Sequence, residues 1–102
     1  MKYRLSGPAK EDLREIWGYL AEHSTLDTAD RVVTELHEAM EKLAERPGGG
    51  HLRTDLAGEA LRFWRVYSYL VVYLPESKPL EVVRVLHGAR DVKSLLEEEL
   101  EE

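Results

Sequence analysis

The hydrophobic period of this chain changes from helical to strand-like at Arg46-Pro47-Gly48-Gly49-Gly50, and that change constrains the fold more than any other feature. Before it, apolar residues recur at helical spacing. Ala9, Leu13, Ile16, Trp17 and Leu20 share one helical face, and Ala29, Val32, Val33, Leu36, Met40 and Leu43 share another. After it, residues 61–66, 69–73 and 80–86 are short runs rich in aromatic and β-branched side chains, which read as strands. Proline drives its predecessor out of the α region, so the second helix ends at Arg46 and the glycines complete the break.

Local signals set the remaining boundaries. Ser6-Gly7-Pro8 starts the first helix, because proline at the first position gives up an N–H that has no intrahelical acceptor. Glu11, Asp12 and Glu15 suit the positive end of its dipole. Residues 23–28 form a turn in which Ser24, Thr25 or Asp27 caps the second helix. A tight turn falls at Tyr67-Ser68 and a second between Pro75 and Pro79. Val82, Val83 and Val85 are apolar on both faces of their strand, which places it centrally under cover. Asp91 caps a last helix carrying Val92, Leu95, Leu96 and Leu100, and residues 2–5 make a short first strand.

The order is β-αα-βββ-α, an α+β fold: an N-terminal strand, a two-helix hairpin packed on an antiparallel sheet of three further strands, and a short C-terminal helix. One domain is expected over residues 1–96. The tail over 97–102 holds five glutamates and is expected to fray, since acids oppose the dipole at a helix C-terminus.

Charge divides the chain further. The net charge of −6 is the sum of −4 over residues 1–45, +3 over 46–96 and −5 over the tail. An acidic hairpin beside a mildly basic sheet offers duplex DNA no obvious surface. There is no cysteine, which excludes disulfides, thiolate metal sites and cysteine nucleophiles. His23, His37, His51 and His87 lack metal-ligand spacing. The triple glycine follows a helix rather than a strand and lacks the Lys-Ser/Thr of a phosphate loop. No serine stands in a Gly-x-Ser-x-Gly elbow. No cofactor or metal is expected, no apolar run is long enough for a membrane span, and the cytoplasm is the expected location.

Trp17, on the first apolar stripe, reads as a core anchor. The tyrosines at 3, 67, 69 and 73 read as core bodies with wet hydroxyls. Arg62 and Arg65 on the first long strand, Arg84 on the last, and His87 and Arg90 beyond it could share a surface for carboxylates or phosphates. Equally, Arg62 and Arg84 could pair with acids such as Asp55, Glu81 or Asp91.

Three segments carry a resemblance: Arg62-Phe63-Trp64, residues 69–73 (Tyr-Leu-Val-Val-Tyr), and residues 83–91 ending in His87-Gly88-Ala89-Arg90-Asp91. With Pro8-Ala9, Asp12-Leu13, Ile16, Tyr19-Leu20 and Leu43-Ala44-Glu45-Arg46-Pro47, they resemble the ParE family of type II toxin–antitoxin systems, within the ParE/RelE superfamily. The resemblance spans roughly residues 2–96. It implies a toxin that arrests bacterial growth by binding and poisoning DNA gyrase. It also implies a ParD-like antitoxin that neutralises the toxin and links it indirectly to operator DNA. Such a protein is an inhibitor rather than a catalyst, with no catalytic residues.

Under that resemblance Arg62, Trp64, Arg84, His87 and Arg90 are the target-binding candidates, and Asp91 is a structural cap. Leu13, Trp17, Leu20, Val33, Leu36 and Met40, along the seam of the helical hairpin, are the antitoxin-binding candidates. An alternative is a RelE-like ribosome-dependent mRNA endonuclease, with Arg62, Tyr73, Arg84, His87 and Arg90 drafted into catalysis. The absence of lysine between Lys42 and Lys78, and the helix following Arg90, weigh against it. A non-toxic interaction module on the same fold is a third reading.

Overall fold

The computed structural model describes residues 2–100, with side chains described through Glu98. Its elements are β1 (Tyr3–Leu5), α1 (Gly7–His23), α2 (Leu26–Glu45), β2 (Arg62–Val66), β3 (Tyr69–Leu74), β4 (Leu80–His87) and α3 (Val92–Leu100). The Ser6 hydroxyl caps α1 by accepting from the Ala9 N–H at 3.0 Å, with proline in the first turn. Of the three candidates for the second cap, Thr25 takes the role, accepting from Thr28 N–H at 3.0 Å. A single 3-10 turn over Pro47–Gly49 follows α2.

The sheet order is β1-β4-β3-β2. β2, β3 and β4 pair antiparallel as expected, while β1 joins the edge of β4 in parallel, with Tyr3 opposite Leu80. The valine-rich β4 is thus central, flanked by β1 and β3. The side chains of β4 and β3 feed two cores, one on each face of the sheet. Val71, Tyr73, Val82 and Val85 pack against Leu13, Ile16, Leu36 and Met40 of the hairpin. Leu70, Val72, Val83 and Leu86 pack on the opposite face with Phe63, Val92 and Leu96. A register shift between Val72 and Tyr73 interrupts the β3–β4 ladder, leaving Val83 as the unmatched residue.

α3 continues past residue 96 to Leu100, while the expected place of Leu100 on the apolar stripe and the last two glutamates lie outside the described side chains. Asp91 caps this helix, accepting from Ser94 N–H at 3.3 Å and from its hydroxyl at 2.9 Å.

Trp17 departs from its expected place. It is 39% exposed, and its indole N–H donates to Asp30 Oδ1 at 2.8 Å. At 100° per residue it lies about 70° round the helix from the Leu13–Leu20 stripe, far enough to clear the sheet.

Candidate functional site

α1, the start of α2, the β2–β3 turn and the end of β4 enclose an open groove of about 630 Å³. Buried Ile16, Val32 and Val85 with half-buried Leu20 give it an apolar floor. Tyr19, 59% exposed, and Tyr67, 54% exposed, stand at its rim with Arg31, His87 and Arg90. The Tyr19 ring stacks on His23 with centroids 4.2 Å apart. Tyr69 meets His87 edge-on at 5.4 Å. Burial, and then the nearby Tyr19, push the Tyr69 hydroxyl above the usual phenol range.

The turn that forms one wall holds its shape at a cost. Tyr67 has φ 54°, in the left-handed region where a β-carbon is crowded, and it is the non-glycine residue with positive φ among the described residues. Its hydroxyl donates to Glu35 of α2. That bond raises the Tyr67 pKa, with burial adding to it and Arg31 opposing.

Behind the groove sits the buried ion pair of the described residues. Arg84 Nε donates to Asp12 Oδ2 at 2.7 Å and Nη2 to Oδ1 at 2.8 Å. The Val85 N–H donates to the same Oδ2 at 2.9 Å. Asp12 therefore ties α1 to β4 rather than serving the helix dipole, and it lies beyond the first turn. The acids proposed for Arg84 are engaged elsewhere: Glu81 with Arg4, Asp55 with Arg53, and Asp91 with Ser94.

The sheet register separates the other target-binding candidates. Arg62 pairs with Tyr73, at the far end of β3 from Tyr69, which pairs with His87. Half-buried Arg62 donates to the Gly50 carbonyl at 3.2 Å. Trp64 is 37% exposed on the outer strand and stacks on His51 with centroids 5.9 Å apart. Only His87 and Arg90 of that set line the groove. His87 Nδ1 accepts from the Ala89 N–H at 3.0 Å. Tyr73 is fully buried; its hydroxyl donates to the Pro47 carbonyl at 2.7 Å and accepts from Gly50 N–H at 2.9 Å.

The antitoxin-binding candidates divide similarly. Leu36 and Met40 are fully buried and Leu13 nearly so, because the hairpin seam faces the sheet. Leu20 and Val33 are half-buried, and Trp17 is exposed. Tyr19 and Arg31 carry no site role in the sequence and Tyr67 reads there as a core body, yet all three line the groove and Tyr67 is exposed. Tyr19 was detectable as an aromatic residue standing off the apolar stripe.

Among the described residues no group of three His, Cys, Asp or Glu could hold a metal ion, and no helix is long and apolar enough to cross a membrane. What the arrangement offers is an apolar groove with a cationic, aromatic rim.

A mixed sheet clasped between a helical hairpin and a terminal helix defines a class of small α+β proteins. A solved chain from the chromosomal ParDE TA system of P. aeruginosa has this fold, with a TM-score of 0.72 over 85% of this chain and 95% of that one, at 16% identity. Toxin ParE1 of Caulobacter vibrioides is 33% identical over 94 residues, covering 92% of this chain and 96% of the relative. Residues 3–92 match the family model for the ParE toxin of the type II toxin-antitoxin system, parDE. The chain belongs to the ParE toxin family of type II toxin–antitoxin systems.

Proposed function

We propose that this ParE-family toxin arrests growth by binding and poisoning DNA gyrase, and that a ParD-like antitoxin neutralises it by covering its exposed groove. The observation that carries this reading is the Asp12–Arg84 pair. Cleaving a phosphodiester calls for free cations and an acid–base pair around the phosphate. Here the Arg84 guanidinium is spent on a buried carboxylate, and the Tyr73 hydroxyl is buried on two backbone groups. What remains at the surface suits protein contact: Tyr19, Tyr67, His87 and Arg90 around an apolar floor.

Operator DNA then enters through the antitoxin, consistent with a chain of net charge −6. The target surface is assigned to His87 and Arg90, with Trp64 on the sheet edge, while Arg62 and Arg84 act as struts. Expression of the toxin alone, with gyrase supercoiling and translation followed in one extract, tests the reading. Loss of supercoiling with translation intact supports it. Cleavage of ribosome-bound mRNA would replace it with the endonuclease, and no effect on either with the non-toxic module.

A further inference from the structure

The turn that follows β4 is held from three directions. Arg90 N–H donates to the His87 carbonyl at 3.0 Å, and Gly88 N–H ties the turn to the Ser68 carbonyl at 2.8 Å. The His87 ring supplies the third restraint: its Nδ1 accepts from Ala89 N–H at 3.0 Å, while the Tyr69 ring meets it edge-on. A backbone N–H can only donate, so Nδ1 carries a lone pair and the proton of the neutral ring sits on Nε2. That Nε2–H has no partner among the described residues, and the side chain is exposed.

The backbone of the same residue presents a second donor. Hydrogen bonds between antiparallel strands alternate from residue to residue, and Gly88 N–H is turned toward β3. The N–H groups of Val85 and His87 therefore face the other edge of β4. There β1 pairs only as far as Val82. Side chains then take over, the Ser6 hydroxyl donating to the Val83 carbonyl and Asp12 accepting from Val85 N–H. The cover stops at that point, and no described residue accepts from His87 N–H.

We infer that His87 is the specificity-determining donor of the target surface, acting through a neutral Nε2–H held outward by the Nδ1 bond to Ala89, and that it meets a carboxylate. This role rests on the proposed function above and gives the contact an atom and a partner chemistry. Charge favours the carboxylate, because Arg31 and Arg90 line the same groove against Glu15, Asp12 being engaged by Arg84.

Two amide side chains separate the outward contact from the brace. In His87→Asn the amide oxygen replaces Nδ1 and keeps the bond from Ala89 N–H, but no donor stands at the place of Nε2. In His87→Gln the amide nitrogen reaches that place and keeps the donor, while the brace is lost. Purified wild-type toxin and both variants are compared for inhibition of gyrase supercoiling, with thermal melts to show that each is folded. His87→Gln should stay within about threefold of wild-type potency, and His87→Asn should lose at least about tenfold, the scale of one hydrogen bond to a charged group. The gap between them should narrow with added salt; a gap that salt leaves unchanged overturns the carboxylate. Full potency in His87→Asn, or the reverse ranking, makes the ring a brace for the turn and overturns the inference. Equal loss in both variants also overturns it, since the Gln amide supplies the donor. If the wild-type chain leaves supercoiling undiminished, the proposed function itself fails, a result distinct from any ranking of the variants.

Discussion

The guanidinium of Arg84 lies flat against the carboxylate of Asp12, with both oxygens taken, at 2.7 and 2.8 Å, across a separation of seventy-two residues in sequence. The two side chains are 12% and 5% exposed, so the pair is largely shielded from water. The pair joins the first helix to the central strand and engages the Arg84 guanidinium within the fold.

Removing one partner should therefore cost far more than removing both. Asp12→Ala removes the bidentate carboxylate from a largely buried guanidinium and should destabilise the fold by about 3–5 kcal/mol. The double variant Asp12→Ala with Arg84→Met should recover most of that loss. Urea denaturation of the two single variants and the double variant measures it. An additive double variant would show that the pair is not acting as a unit.

Gly50 is held by space rather than by backbone conformation. A β-carbon there would lie 2.4 Å from the Tyr73 hydroxyl oxygen and 3.0 Å from the Phe63 carbonyl. Gly50→Ala should lower stability by about 1–3 kcal/mol, the range for overpacking. Tyr73→Phe should cost about 1–3 kcal/mol by a different route, stranding the Gly50 N–H and the Pro47 carbonyl. Thermal melts of both variants are the check.

Acid should loosen α3 before the rest of the fold. The Ser94 hydroxyl and N–H hold the Asp91 carboxyl below its ordinary range. A carboxyl lowered on folding contributes fully above its unfolded pKa, and the contribution is lost as pH falls through the folded value, here below about pH 4. Amide protection factors in residues 92–96, with the intrinsic pH dependence of exchange divided out, should fall across that window. Asp91→Asn should show lower protection at neutral pH and lose this acid-dependent fall; an unchanged protection profile in the variant would contradict the cap.

Trp17 supplies a test of its surface position. Trp17→Ala should cost about 1–2 kcal/mol, well under the roughly 3–5 kcal/mol of a buried tryptophan. A larger loss by chemical denaturation would return it to the core.

Most of the scaffold was legible because period and capping are local. The stripe from Ala29 to Leu43 marks α2, and Val82, Val83 and Val85 of β4 mark a strand covered on both sides. Trp17 misled because hydropathy registers an apolar ring but not its angle from the stripe. Asp12 misled because an acid near a helix start also suits the dipole, and its true partner lies far along the chain. Parallel attachment of β1 followed from no three-residue pattern. The groove was hidden for the same reason, since Tyr19, Arg31, Tyr67 and His87 come from four separate segments that meet only in the fold.

The most direct test of the account uses purified components. Wild-type toxin added to purified gyrase should abolish supercoiling, and a folded His87→Ala, Arg90→Ala double variant should lose at least tenfold in potency. Undiminished supercoiling with the wild-type toxin, or full potency in the folded double variant, would contradict the assignment.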